Sequence, residues 1–248
     1  MGKAVLELKD LSLTLEGNLV FKEVNLNLFA RELHVLLGPN GVGKSSLLKV
    51  IAGHPSYINA SGGIFINQEA IEALAPEARA RKGVFVAFQN PCEIEGLTLA
   101  NFLRNTLKAF PENPGHKWKA TEFYSHLYEL LDVVGLPKNF TSRALHCGFS
   151  GGEKKRCELL QLMLLQPQLA LLDELDSGLD VDAKKRVIHI LQTMRQEKQT
   201  GFLVISHDFE FIRQLQPTKI HLLKDRQLYS GDLSFLDKIE QQGYNGNE

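Results

Sequence analysis

The sequence has few cysteines and almost no net charge, and these two scarcities exclude several kinds of site. Its 248 residues include three cysteines, Cys92, Cys147 and Cys157, with no CxxC pair and no His/Cys cluster at zinc-binding spacing. We therefore expect reduced, partly buried thiols in a reducing compartment. The formal net charge of -1 argues against nucleic acid as a partner, since proteins that bind it usually carry a basic face.

Long apolar runs are missing as well. No run approaches the ~18 apolar residues that a membrane-spanning helix requires, and the residues after Met1 include no apolar signal-peptide segment. We expect a cytoplasmic protein without direct membrane insertion. Hydrophobic residues nevertheless make up 44% of the chain, which is enough for the core of a single domain spanning residues 1–248.

The spacing of apolar residues predicts strands that alternate with helices. Short apolar runs typical of buried strands lie at 33–37, 84–88, 169–172, 202–205 and 220–223. Helical spacing is present at 44–52 and 182–195 and, for the most part, from 98 to about 165. This order indicates a mixed α/β core of residues 1–90 and 166–248, interrupted by a helical subdomain at about 91–165.

A glycine-rich segment directly follows the apolar run at 33–37. It fits the phosphate-binding pattern GxxxxGK[ST] without a mismatch and consists of Gly38, Pro39, Asn40, Gly41, Val42, Gly43, Lys44, Ser45 and Ser46. Glycines lack the Cβ atoms that would keep backbone N–H groups away from phosphates, and the following helix points its N-terminus at them. Lys44 is predicted to reach the β- and γ-phosphates, and Ser45 to offer its hydroxyl to Mg²⁺.

Polar side chains follow three further predicted strands. Asp173 and Glu174 come after 169–172, His207 after 202–205, and Gln89 after 84–88. Open α/β sheets bind ligands at the carboxyl ends of their strands. We therefore expect Asp173 to hold Mg²⁺, and Gln89 to ligate Mg²⁺ or to position water. Glu174 is expected to act as general base or to position water, and His207 to contact the γ-phosphate. An acidic helix cap and a surface histidine are the alternative interpretations.

A second glycine-rich segment lies more than a hundred residues after the first. Ser150, Gly151 and Gly152 open a predicted helix whose N-terminus would offer a hydroxyl and bare N–H groups to an anion. One nucleotide bound by one chain does not need two such sites. The basic run at 154–156 next to it is ambiguous, since such charges usually stay in solvent.

These elements, in this order, resemble the nucleotide-binding domain of ABC ATPases. In that family they are Walker A (38–46), the Q-loop Gln89, the signature motif (149–153), Walker B (169–174) and the switch His207, and 177–180 resembles the D-loop. The resemblance implies a RecA-like α/β core with an N-terminal antiparallel β subdomain and a helical subdomain. It also implies Mg²⁺-dependent ATP hydrolysis. The ATP would lie between the P-loop of one copy and Ser150–Gly152 of a second copy, bound head to tail.

Five segments resemble the SufC ATPases of the SUF iron–sulfur cluster assembly system more closely, and they lie at 87–96, 148–156, 172–183, 230–232 and 240–244. This implies SufB-like and SufD-like scaffold proteins as partners, each binding one copy, with a contact surface near residues 90–110. The alternative is the ATPase subunit of an ABC membrane transporter. A third class, a non-catalytic nucleotide-gated module, is disfavoured by the intact Glu174 and His207.

The chain departs from the ABC pattern at two apolar positions. Leu15 stands where transporter ATPases usually carry an aromatic residue that stacks on adenine, so we expect weak base stacking. Leu175 stands where SufC relatives tend to carry a small polar residue.

Overall fold

The computed structural model describes residues 3–57, 60–89, 91–110 and 113–244. Met1 and Asn90, which belong to the expectations for the N-terminus and the Q-loop segment, lie outside these residues. The strands are β1 (Ala4–Leu15), β2 (Asn18–Phe29), β3 (Leu33–Leu37), β4 (Ala60–Ile66), β5 (Glu69–Ala70), β6 (Val84–Ala87), β7 (Ile94–Thr98), β8 (Ala144–Leu145), β9 (Leu169–Asp173), β10 (Gly201–Ile205), β11 (Lys219–Lys224) and β12 (Gln227–Gly231). The α-helices are α1 (Lys44–Ala52), α2 (Pro76–Arg81), α3 (Leu99–Lys108), α4 (Ala120–Val134), α5 (Gly151–Leu165), α6 (Val181–Glu197), α7 (Phe209–Leu215) and α8 (Leu233–Gln242).

The central sheet is parallel apart from its edge strand β12, and its strand order is β12-β11-β3-β10-β9-β6. Ile205 at the end of β10 pairs with Asp173 of β9 on one side and with Leu36 of β3 on the other. Because these strands run in the same direction, their carboxyl ends meet at one edge. The register therefore places the loops after β3, β9 and β10 side by side.

Both faces of this sheet are covered, which explains why its strands are continuous apolar runs. Along β10, Phe202 and Val204 belong to the core cluster that includes helices α3 to α8, whereas Leu203 and Ile205 belong to a second cluster. The second cluster contains α1 and the antiparallel sheet β2-β1-β4-β5. The expected α/β fold with an N-terminal antiparallel sheet is confirmed.

The local predictions differ from the structure at a few places. Helix α1 has the predicted bounds and ends at Gly53, whose φ of 77° reverses the chain. The region predicted as mostly helical from 98 to about 165 also contains β8, which pairs with β7. Two residues are too few to produce a period, so this ladder depends on contacts that are distant in sequence. Of the cysteines, Cys157 is buried and Cys147 partly buried, but Cys92 is exposed, contrary to expectation.

Within the described ranges, no helix combines the length and apolar character needed to span a bilayer.

A chain of polar groups crosses the otherwise apolar sheet at β3, β11 and β12. The ring nitrogens His34 Nδ1 and His221 Nε2 lie 3.0 Å apart. At the two ends, His34 Nε2 lies 3.1 Å from a carboxylate oxygen of Glu32, and His221 Nδ1 lies 2.6 Å from the Ser230 hydroxyl. Burial lowers the pKa of His34 to about 4 and that of His221 to about 3. Both imidazoles are therefore neutral in the folded protein near pH 7.

This neutral pair should make the fold sensitive to acid. Since the folded pKa values lie below the unfolded value of about 6.5, the unfolded chain takes up protons first and stability is lost as the pH falls from about 6.5 to 4. In a His34→Leu/His221→Leu variant, Glu32 and Ser230 can bond to water, because neither is buried.

We expect the melting temperature of the double variant to fall less than that of the wild type between pH 7 and 4.5, measured by circular dichroism. Burial raises the pKa of Asp173, and that of Glu158 to about 8. These two groups have the opposite effect, because the stability that they contribute is lost as the pH rises. Both proteins share these groups, so their effect cancels in the difference. Parallel pH profiles for the two proteins would contradict the prediction.

Candidate functional site

The glycine-rich loop between β3 and α1 has a conformation that only glycine fits at two positions. Gly38 has φ 147° and Gly43 has φ 109°. A Cβ on Gly38 would lie 2.3 Å from the carbonyl oxygen of Leu223, and one on Gly43 would lie 2.5 Å from a methyl carbon of Val20. The fold of the single chain therefore requires glycine at both positions.

Lys44, the first residue of α1, lies inside this loop. Its side chain is buried, and Nζ donates hydrogen bonds to the carbonyl oxygens of Gly38 and Pro39, each at 2.8 Å. Burial lowers its pKa, while Glu174 and Asp173 oppose that shift. Gly43, at the N-cap, offers no side chain to the first turn of α1. The loop thus combines an ammonium group with backbone N–H groups that no side chain caps, as an anion site requires.

Asp173 lies at the end of β9 and is almost completely buried. Burial raises its pKa, and the nearby Ser45 hydroxyl opposes this shift. Its Oδ1 atom has no hydrogen-bond partner among the described residues. A buried carboxylate oxygen without a partner, next to a hydroxyl, fits a hard cation such as Mg²⁺.

Three of the predicted site residues come together at the sheet edge. Gln89 Nε2 donates a hydrogen bond of 2.7 Å to Glu174 Oε2, and His207 Nε2 lies 3.5 Å from Glu174 Oε1. Glu174 has φ 51°, and its backbone N–H bonds to the carbonyl of Ile205 at 3.0 Å. Burial lowers the pKa of His207, and Lys44 lowers it further. The site therefore holds a carboxylate between an amide and a neutral imidazole.

Two cavities meet at Glu174. The larger, of about 500 Å³, is lined by Leu15, Val20, Asn40, Gly41, Gly43, Lys44, Ser45, Ser46, Gln89 and Glu174. The smaller, of about 320 Å³, is lined by Glu174, Asp176, Ser177, Lys184, His207 and Asp208. The aliphatic Leu15 and Val20 line the larger cavity, and a nucleobase packed against them would have no aromatic stack.

The second glycine-rich segment does not line either cavity. Ser150 caps α5 by accepting a hydrogen bond from the N–H of Glu153, whose carboxylate accepts one from the N–H of Ser150. Among the residues that the structure describes, a Cβ on Gly151 would meet nothing within 4 Å, and one on Gly152 would touch Leu179 at 3.7 Å. Neither glycine has a positive φ. The fold of the single chain therefore does not require glycine at these two positions.

The basic run next to this segment is not a free solvated face. Lys155 donates to the carbonyl oxygen of Glu174 at 2.8 Å and also to that of Ser177. Lys154 pairs with Glu93 at 2.7 Å. Helix α5 is thus tied to the turn after β9 on one side and to the segment after β6 on the other.

The sequence analysis missed two further residues that reach the site. Glu158 of α5 is buried, and its carboxylate accepts a hydrogen bond of 3.1 Å from the N–H of Phe88, which precedes Gln89. Tyr244, after α8, places its hydroxyl 3.3 Å from His207 Nδ1. No sequence signal links either residue to the site.

The contrast between the two sets of glycines can be tested by stability. Gly38→Ala forces a Cβ against a backbone carbonyl, and we expect it to lower the free energy of unfolding by about 2 kcal/mol or more. Gly151→Ala introduces no contact and favours helix, so its stability should equal that of the wild type or exceed it by a few tenths of a kcal/mol. Urea denaturation of both variants measures this, and equal losses would contradict the assignment.

A family model described as "ABC transporter" matches residues 21–177. A protein named "Probable ATP-dependent transporter ycf16" of Cyanidium caldarium is 40% identical over 97% of this chain and 95% of its own length. A "Probable ABC transporter ATP-binding protein" of Streptococcus pyogenes is 39% identical over 98% of this chain and 94% of its own length.

Solved structures share the fold over nearly the whole chain. One titled "Structure of ATP binding subunit of ABC transporter" superposes with a TM-score of 0.80 at 27% identity, over 98% of this chain and 95% of the other. A dimeric ATP-binding cassette bound to ADP and Pi, MJ0796, gives 0.79 at 22% identity, over 92% and 98%. This chain belongs to the ABC family of ATP-binding, ATP-hydrolysing proteins.

Proposed function

We propose that this protein is the SufC-type ATPase of an iron–sulfur cluster assembly complex. Two copies close head to tail around ATP and Mg²⁺, and their closing and opening rearranges a scaffold of SufB-like and SufD-like proteins. ATP hydrolysis follows from the family. The pairing of two copies rests on the glycines of the second segment, and the choice of partner rests on the SufC-like segments and on an apolar groove.

In each site, one set of residues binds the phosphates and a second set binds the metal ion. Backbone N–H groups of 38–46 and the Lys44 ammonium bind the phosphates and oppose their charge. Ser45, Asp173 and Gln89 would hold Mg²⁺, which when bound would supply positive charge to oppose that of the phosphates. This assignment accounts for the unpaired, buried Oδ1 of Asp173.

Glu174, together with Gln89 and His207, acts on the attacking water. Its carboxylate lies where the two cavities meet, so it can accept a proton from water or orient it toward the γ-phosphate. Gln89 holds one carboxylate oxygen through its neutral amide, so it carries no charge of its own when it moves away. His207 presents Nε2 beside the other oxygen, in reach of a terminal phosphate.

We infer the pairing of two copies from the open space next to Gly151 and Gly152. Alanine is more stabilising than glycine where the backbone tolerates both, yet nothing among the described residues would meet a side chain at Gly151. A close approach by another molecule gives these glycines a role. Since Ser150–Gly152 form a helix N-terminus outside the ATP cavity, that molecule is the nucleotide held by a second copy.

A mixing experiment tests whether the two halves of a site lie on different chains. Lys44→Ala disables the P-loop and leaves Gly151 intact, and Gly151→Asp places a negative charge at the signature and leaves the P-loop intact. Each variant alone should be nearly inactive. A one-to-one mixture should recover roughly a quarter of the wild-type ATPase activity, because half of random pairs are mixed and each has one intact site of two.

The assay uses chain concentrations at which wild-type activity per chain has reached its plateau. Wild type mixed with Lys44→Ala serves as the dilution control. Recovery is expected only if the sites are shared between copies. If the control shows that its mixed pairs, which also keep one intact site, are active, an inactive mixture of the two folded variants would show that Gly151 serves its own chain.

A large apolar groove supports the proposal that the chain binds a protein partner. A cavity of about 620 Å³ lies between the edge strand β6 with α2 and the helices α3 and α5. Phe85, Phe88, Phe102 and Phe110 line it. Phe88 directly precedes Gln89, so a scaffold segment in this groove would contact the Q-loop. The groove lies where residues 1–90 and 166–248, proposed as the core, meet the proposed helical subdomain at about 91–165.

Co-purification tests both the groove and the identity of the partner. The tagged protein is co-expressed with its genomic neighbours, and complexes are identified by native mass. We expect wild type and Tyr124→Glu, an exposed aromatic of α4 outside the groove, to retain SufB-like and SufD-like proteins, and Phe102→Glu to reduce their recovery at least tenfold. Recovery of integral membrane permeases instead would favour the transporter-subunit alternative, which the names of the relatives support.

A further inference from the structure

The segment after the last helix returns to the proposed hydrolysis site. Helix α8 ends at Gln242, and Gly243 has a positive φ of 68°, which glycine adopts readily and which redirects the chain. Tyr244 then packs its half-buried ring against the main core cluster. Its hydroxyl lies 3.3 Å from His207 Nδ1. A residue 37 positions later in the sequence thus contacts the imidazole on the side away from Glu174.

The surroundings of His207 determine which of its nitrogens carries the proton. Burial and Lys44 lower its pKa, so the imidazole is neutral and carries one proton. Glu174 Oε1 lies 3.5 Å from Nε2, and a carboxylate favours an N–H over a lone pair at that distance. Burial raises the pKa of Tyr244, so the phenol keeps its proton. Tyr244 can therefore donate to a bare Nδ1, and the two contacts favour the same tautomer.

We propose that Tyr244 is a positioning residue for ATP hydrolysis, which holds His207 with Nε2–H directed at Glu174 and the terminal phosphate. The proposal rests on the role of His207 in the proposed function. Without the hydroxyl, Nδ1 loses its donor, and the ring can flip or carry its proton on Nδ1. A flip places Cε1–H where Nε2–H stood, and a proton on Nδ1 leaves a lone pair on Nε2. Either change removes the N–H donor that faces the carboxylate and the phosphate. His207 Nε2 has no hydrogen-bond partner among the described residues, as expected of a donor that awaits a ligand.

Nitrogen NMR of the full-length protein tests the tautomer without any requirement for activity. With histidine labelled at both ring nitrogens, two-bond correlations show which nitrogen of each ring is protonated, and loss of a signal in His207→Gln identifies His207. We expect the Nε2–H form in the wild type and a mixture of forms in Tyr244→Phe. Tyr229→Phe is the matched control, since Tyr229 is exposed and its hydroxyl bonds to Gln227. An Nδ1–H form in the wild type, or an unchanged Tyr244→Phe, would overturn the proposal.

Steady-state kinetics then tests the consequence. Loss of one hydrogen bond predicts a kcat for Tyr244→Phe that is lower by about 3- to 10-fold, with KM for ATP changed by less than about twofold. In a His207→Ala background the same substitution should add no further loss. A lower kcat accompanied by an equal rise in KM and a lower melting temperature would mean that Tyr244 is only structural. If His207→Ala retains the wild-type kcat, the role of His207 in the proposed function fails, while the NMR result still decides the contact.

Discussion

The site depends on the parallel pairing of β10 with β3 and β9. Ile205 faces Asp173 on one side and Leu36 on the other, and the N–H of Glu174 bonds to the carbonyl of Ile205 beyond the last paired residues. A slip of one residue in either pairing would exchange the residues that face the two core clusters and shift the P-loop relative to the carboxylates. The apolar packing on both faces of the sheet therefore also fixes the geometry of its polar edge.

Much of this arrangement could be predicted from the sequence because it depends on local patterns. An apolar run of four or five residues followed by Asp173 or His207 identifies both a buried strand and its carboxyl end, and parallel strands bring such ends together. The P-loop is likewise local, and α1 begins and ends where predicted. The glycine contacts make a distinction that the sequence does not, since Gly38 is required by the chain itself and Gly151 is not.

The remaining features depend on contacts between distant residues, which no period reveals. Lys155 resembles any exposed helical lysine, yet it bonds to two carbonyls about twenty residues later. Glu158 occupies an inward position where a carboxylate is normally excluded, and the N–H of Phe88 offsets part of its burial. Tyr244 lies in a short segment without regular structure. Each residue was visible in the sequence, but its partner was not.

The bonds of Lys155 have a consequence for a pair of such chains. Helix α5 begins at the glycines proposed to bind the other copy's nucleotide, and one turn later it holds the backbone of its own Glu174. A shift of α5 as the two copies close would therefore be transmitted to the Glu174 of the opposite site. Occupancy of one site then changes the geometry of the other, so the two ATP molecules would bind and turn over cooperatively rather than independently.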